Sequence, residues 1–305
     1  MRHSSADRMS HSLPFFFVDV FADAPLTGNP LAVVAEAGDV DDGLMGAIAR
    51  EFNQSETTFV LAPTRDGATW RLRSFTPAGA EVGGAGHNAL GAWWWLASAG
   101  RLPLVDGGAR FTQEIGDRIL PVEVIGEGGR PRVIAMVQEP PEAGDRVLDL
   151  AGLAAALGLS DGDLIEDLPA QVVSTGAGHL LVQARSRASV DRADPEPSRL
   201  AAALRAVGGE GCYLYSLETV DPDSSAYARF FNPMMGISED PATGTAAGPL
   251  AGHLVAHGVV SDGSTILIEQ GHAMGRPSRM ELRVEGTRVT IAGACVVVAE
   301  GTLYC

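Results

Sequence analysis

Short apolar or alternating runs recur along the chain: FFFVDVF (15–21), LAVVAE (31–36), ETTFVLA (56–62), ATWRLRSF (68–75), RVIAMVQ (132–138), LLVQA (180–184), TILIEQG (265–271), RMELRVEG (279–286) and CVVVAEG (295–301). Most are closed by Gly, Pro or Asp, and their length predicts β-strands. Apolar and small residues at helical spacing are fewer and predict helices over 41–52, 149–159 and 198–208. GEGGRPR (126–132) reads as a linker. It divides the chain into an N-terminal domain, 13–126, and a C-terminal domain, 127–294. The last strand, about 295–305, is able to return to the first domain, and residues 1–12 are polar and expected to be flexible.

A repeat crosses that division. FTPAGAEVGGAGHNALGAWWWLASAG (75–100) and FNPMMGISEDPATGTAAGPLAGHLVAHG (231–258) both open on F-x-P after a strand. Each then has a Glu, four residues and a Gly, Glu81 to Gly86 and Glu239 to Gly244, before an apolar run that closes on Gly100 or Gly258. Leu96 and Leu254 occupy matching positions, so the chain reads as two similar halves. Both runs are apolar nearly all round, which predicts a helix buried inside each domain. Trp93, Trp94 and Trp95 fit that core better than an aromatic ligand box. If the two glycine-rich helix starts faced each other, free backbone N–H groups and two positive dipole ends would converge on one cleft suited to a carboxylate or phosphate.

Composition narrows the chemistry. With 46% hydrophobic and 20% charged residues the chain is globular, and no run approaches the length of a membrane helix. Nothing in its first residues resembles a signal peptide, and a cytoplasmic protein is expected. A net charge of −16 argues against nucleic acid but not against a small anionic substrate, which feels local donors. All 22 basic residues are arginine, so no lysine is present for a Schiff base or a phosphate-binding loop. Cys212, Cys295 and Cys305 lie far apart and form neither a disulfide framework nor a zinc motif. His253 and His257 have the i, i+4 spacing of a zinc helix but lack the intervening glutamate and a third ligand, so no metal is expected. GGAGHNALG has the wrong glycine spacing for a dinucleotide fingerprint.

NQSETTFV (53–60), FTP…E….GH (75–87), FFNPMMGISEDPATGTA (230–246) and QGHAMGRPS (270–278), with TGNPLAVV (27–34), together resemble the PhzF-like phenazine-biosynthesis family of the diaminopimelate-epimerase superfamily. The resemblance runs from about Phe15 to the C-terminus. It implies an α/β (α+β) fold of two similar domains, each a curved mixed β-sheet around a central apolar helix, with the active site between them. It further implies an isomerase for trans-2,3-dihydro-3-hydroxyanthranilate or a similar small cyclic carboxylate, working without metal or organic cofactor, and a homodimer. Carried over by motif, Glu56 becomes the acid/base, and His87 and Asp240 contact and orient the substrate. Gly86, Gly244, Thr245 and Gly176 complete the expected substrate contacts. The family usually has serine where this chain has Thr245.

Each assignment has a plainer counterpart. Glu56 also reads as an exposed strand start or a local cap, His87 as a structural histidine, and Asp240 as an acidic residue satisfying a helix start. Glu81 and Glu239 read as structural carboxylates of the two loops. The superfamily's two-thiol racemase mechanism places cysteines just before the helix-opening glycines. Ala85 and Thr243 stand there, so that mechanism is not expected. A binding protein that kept the cleft, or a lyase or cyclase on the same scaffold, are the alternatives.

Overall fold

Alternating side chains put one face of each strand into a core and leave the other to a second layer. The computed structural model describes residues 11–305. The first ten residues of the stretch expected to be flexible therefore lie outside the described residues. Ser12 is already in a strand. The first half runs β1 (Ser12–Val20), β2 (Asn29–Val34), α1 (Asp42–Phe52), β3 (Thr57–Leu61), β4 (Trp70–Phe75), β5 (Glu81–Val82), α2 (His87–Ser98), β6 (Ala109–Ile115), β7 (Arg118–Glu127) and β8 (Arg130–Gln138). The second runs β9 (Glu142–Arg146), α3 (Leu150–Ala156), β10 (Gln171–Ser174), β11 (Gly178–Gln183), α4 (Arg187–Arg192), α5 (Pro197–Val207), β12 (Gly211–Ser216), β13 (Ala226–Asn232), β14 (Ile237–Asp240), α6 (Gly244–Ala256), β15 (Thr265–Gln270), β16 (Ser278–Glu285) and β17 (Arg288–Gly293). β18 (Cys295–Tyr304) closes the chain by pairing antiparallel with β1. No helix of the described residues is long and apolar enough to cross a membrane.

The repeat read from the sequence extends to the whole pairing scheme. The first half pairs β1–β2 antiparallel, β2–β3 parallel, β3–β4 antiparallel, β4–β6 parallel, then β6–β7 and β7–β8 antiparallel. β10–β11, β11–β12, β12–β13, β13–β15, β15–β16 and β16–β17 repeat that series with the same senses in the same order. The short strands match as well, β5 beside β4 and β14 beside β13. The equivalent strands β8 and β17 pair antiparallel with each other, fusing the two sheets.

The segment 126–132 is not a linker. Gly128 and Gly129, at φ +58° and +73°, form the turn of the β7–β8 hairpin. Two successive left-handed residues suit the twist of a tight hairpin, which a Gly-rich run in sequence does not distinguish from a hinge. β8 stays with the first half, packed on α2, so the crossing to the second half comes after Gln138 rather than at 126/127.

One apolar core holds both central helices. Leu90, Trp93 and Leu96 of α2 share it with Ala247, Leu250 and Leu254 of α6, and it is continuous through Ile134 of β8 and Ile291 of β17. Smaller outer cores lie under α1 and under α3 to α5. The two F-x-P loops are braced identically. Arg73 forks onto Glu81 with both bonds at 2.7 Å, and Arg229 forks onto Glu239 at 2.9 and 2.7 Å. Each guanidinium also stacks on the phenylalanine of its own F-x-P, at 5.1 Å over Phe75 and 4.9 Å over Phe231. Glu81 and Glu239 are thus structural, as their loop positions suggest. A further brace joins the halves. Arg276 of the QGHAMGRPS segment donates to the buried Asp19 carboxylate at 2.6 Å and to the carbonyls of Thr27 and Gly28.

Trp93 is fully buried, and its indole N–H donates to Gln113 Oε1 at 2.8 Å. Trp93→Phe removes volume and strands a buried carbonyl oxygen, so it should lower unfolding free energy by about 2–4 kcal/mol. Urea denaturation of the two proteins measures this, and an unchanged midpoint would contradict the packing described.

Candidate active site

A helix start leaves backbone N–H groups that the helix itself cannot satisfy. α2 begins after Gly86 and α6 after Thr243, and neither start carries a side-chain cap. The two starts meet across a cleft between the halves. A Cβ placed on Gly86 would lie 3.9 Å from the Thr245 methyl carbon. The cleft has a volume of about 420 Å³ and is lined by every residue expected there, namely Glu56, His87, Asp240, Gly86, Gly244, Thr245 and Gly176.

Glu56 lies between α1 and β3, where the chain leaves the helix through Asn53 in a left-handed conformation. The residue as a whole is half-buried, but Oε2 is shielded from solvent and has no hydrogen-bond partner. Desolvation, reinforced by the charge of Asp240, pushes its pKa up to about 8. Glu56 is neither an exposed strand start nor a cap.

Asp240 ends β14 and is buried. It does not satisfy the start of α6. Its Oδ1 accepts from Asn29 Nδ2 at 3.0 Å and its Oδ2 from the Thr243 hydroxyl at 2.5 Å. Gln270 completes the cradle by donating to the Asp240 carbonyl at 2.7 Å and accepting from Thr243 N at 3.2 Å. Burial raises the Asp240 pKa to about 6 against the lowering effect of these two hydrogen bonds. Two carboxyls of unlike proton affinity therefore face one cleft, the arrangement that separates acid/base roles.

His87, the first helical residue of α2, is held neutral, with desolvation driving its pKa down to about 4. Its Nε2 lies 3.4 Å from the Ser55 hydroxyl, at the long end of a hydrogen bond. Asn88 folds back to fix the glycine-rich loop, accepting from Gly86 N at 2.6 Å and donating to the Gly84 carbonyl at 3.0 Å. At the rim Arg118 is the one arginine among the lining residues. It bridges the Gly83 carbonyl and the Glu139 carboxylate at 3.1 and 3.2 Å.

Four contributors escaped the sequence reading. Asn29 sits in TGNPLAVV, yet its contact with Asp240 spans more than two hundred positions, and only the fold pairs them. Ser55 adjoins Glu56 within NQSE and had a signal in that adjacency. Arg118 reads as an ordinary charge at a strand start. His179, on β11, directly precedes the apolar run 180–184 and belongs to no motif; its Nε2 lies 3.2 Å from the Thr245 hydroxyl. Cys212 and Cys295 are buried away from the cleft lining, and burial raises the Cys212 thiol to about 12. His253, in the last turn of α6, and His257, just past its end, hold their rings tilted at 51° with centres 4.3 Å apart.

The family model described as "Phenazine biosynthesis-like protein" matches residues 18–301. The chain is 34% identical over 299 residues to the trans-2,3-dihydro-3-hydroxyanthranilate isomerase of Pseudomonas aeruginosa, covering 95% of this chain and 99% of that one. It is 31% identical over 295 residues to the uncharacterized isomerase YddE of Escherichia coli, covering 92% and 95%. Among solved structures it is similar to a PhzF-family phenazine biosynthesis protein of Bacillus anthracis, with a TM-score of 0.86 and 27% identity over 96% of this chain and 99% of that one. A hydroxyproline epimerase of Agrobacterium vitis, at 12% identity, a TM-score of 0.67 and coverage of 96% and 91%, shares the fold. Two matched halves around buried helices, with a cleft at their joint, thus define an epimerase-like fold. Within it, the chain belongs to the PhzF family of phenazine biosynthesis-like proteins.

The raised Glu56 value has a consequence for stability. In the unfolded chain this carboxyl has its ordinary value of 4.5, so the folded protein holds the proton more tightly. The stabilisation is complete below that ordinary value, is lost as pH rises through about 8, and is flat beyond. The urea midpoint of the wild type should therefore fall more steeply than that of Glu56→Gln across this window, with the gap widening upward. Parallel pH profiles would show that Glu56 titrates as an ordinary carboxyl.

Proposed function

We propose that the protein is an isomerase that shifts a proton between two carbons of a small cyclic amino carboxylate, of the trans-2,3-dihydro-3-hydroxyanthranilate type, with Glu56 as the single acid/base. The observation that carries this reading is the shielded, unpartnered Glu56 oxygen facing a cleft rimmed by two uncapped helix starts. The isomerase names of relatives aligned along the whole chain support the reaction class.

Each group then has one part in the reaction. The helix starts at Gly86 and Gly244, with the Thr245 hydroxyl, take the substrate carboxylate through N–H and O–H donors. Asp240, rigid in its cradle, accepts from the substrate amine, and ionised Glu56 removes a proton from a ring carbon. The electron pair shifts along the conjugated ring bonds, and Glu56 returns the proton to a different ring carbon. A carboxyl raised towards the working pH is suited to both halves of such a transfer. Neutral His87 hydrogen-bonds a substrate hydroxyl or amine without adding charge.

Glu56→Gln keeps size and burial, so folding should persist while turnover of trans-2,3-dihydro-3-hydroxyanthranilate falls at least about a thousandfold, the scale of a lost acid/base group. Because the first step needs ionised Glu56, wild-type kcat/KM should climb as pH rises towards about 8 and then level. Near-normal turnover by the variant, or a profile that falls across this range, would overturn the assignment. Steady-state assay of product formation reads both.

A further inference from the structure

The proton shift leaves one buried imidazole of the cleft without a part. His179 is 3% exposed and lies on the face of β11 that looks towards α6, while its neighbour Leu180 faces the outer helices. Its ring is held edge-on against Phe230, with centres 5.0 Å apart at 86°. Gly211 lies beside both rings. A Cβ there would come within 2.4 Å of the Phe230 ring and 3.3 Å of His179 Nδ1. The ring is therefore fixed in place before any ligand arrives.

Its two nitrogens are unequal. Nε2 lies 3.2 Å from Thr245 Oγ1, whereas Nδ1 is buried with no partner. The ring is neutral, desolvation having lowered its pKa to about 4, so one nitrogen carries the single proton. A proton on Nδ1 would make an orphaned buried N–H, which proteins avoid more strictly than an unused acceptor. The proton accordingly sits on Nε2 and is donated to Thr245. With its oxygen engaged as an acceptor, the Thr245 hydroxyl keeps its own proton to give. Threonine is stiff at χ1, so fixing the oxygen also fixes the methyl, which projects towards Gly86 at the facing helix start.

We propose that His179 is a positioning residue that turns the Thr245 hydroxyl into a donor aimed at the carboxylate of the substrate, with the threonine methyl narrowing the space between the two helix starts. This rests on the proposed function only in taking the ligand to be a small cyclic carboxylate.

The test is calorimetric binding of 2-aminobenzoate, a flat analogue that cannot be turned over, beside its uncharged carboxamide. Wild type should bind the carboxylate in preference to the amide. His179→Phe, which keeps the ring edge on Phe230, should weaken carboxylate binding about tenfold, the loss of one hydrogen bond to a charged group, and leave amide binding nearly unchanged. Thr245→Val should lose as much, and the double variant no more than Thr245→Val alone. His179→Gln, whose amide N–H can reach the Nε2 position, should restore most of the affinity. Should His179→Phe not fold, His179→Asn, too short to reach Thr245, carries the same expectation. Unchanged carboxylate binding, losses that multiply in the double variant, or a wild type that does not prefer the carboxylate would each overturn the proposal. Failure of the isomerase reading looks different: no turnover of the dihydro substrate, with carboxylate binding and its dependence on His179 intact.

Discussion

A helix buried along its length has nothing to offer a ligand except its ends. α2 is enclosed by strands of the first half and β18, and α6 by strands of the second, and their glycine-rich starts meet where the halves join. Everything distinctive about the cleft descends from that constraint. Side-chain caps are missing from both starts, which leaves N–H donors for a guest. Glycine at 244 also suits the packing, because a Cβ there would come within 2.9 Å of the terminal methyl of Ile291 and push it aside. The Arg–Glu forks on Phe75 and Phe231 then hold the two loops that lead into the helices.

The electrostatics follow from the same enclosure. A cleft with two positive helix ends would favour ionised carboxyls, yet Glu56 and Asp240 both bind protons more tightly than in water. Desolvation outweighs the dipoles because Glu56 Oε2 receives no hydrogen bond, and Asp240 receives only two from neutral side chains. Asp240 stays the more acidic of the pair because of those two bonds. The chain's overall negative charge has little part in this; the balance is local to a few ångströms around the helix starts.

The sequence disclosed the halves and the central helices because each leaves a local mark, whereas Glu56, His87 and Asp240 were marked only by the resemblance of their motifs to a known family. The F-x-P openings, the glutamate-to-glycine spacing and the apolar run repeat in register, and the strand runs alternate or end in breakers. Where reading failed, the cause was non-local or ambiguous. GEGGRPR is compositionally a linker, and only the left-handed pair at Gly128 and Gly129 makes it a hairpin turn. Asp240 before a helix looks like a cap, but Thr243 and Asn29 claim its oxygens first. His179 sits in a strand whose neighbours are all core, so its meeting with Thr245 emerges only when β11 packs on α6.

The central claim is that Glu56 is a shielded carboxyl poised to exchange a proton near working pH. Carbon-13 NMR titration of the glutamate side-chain carboxyls, in wild type and Glu56→Gln, tests it directly and needs no substrate. One resonance should titrate near about 8, and that resonance should vanish in the variant. If every glutamate carboxyl titrates in the ordinary range and the variant loses only one of those, the account of this site is wrong.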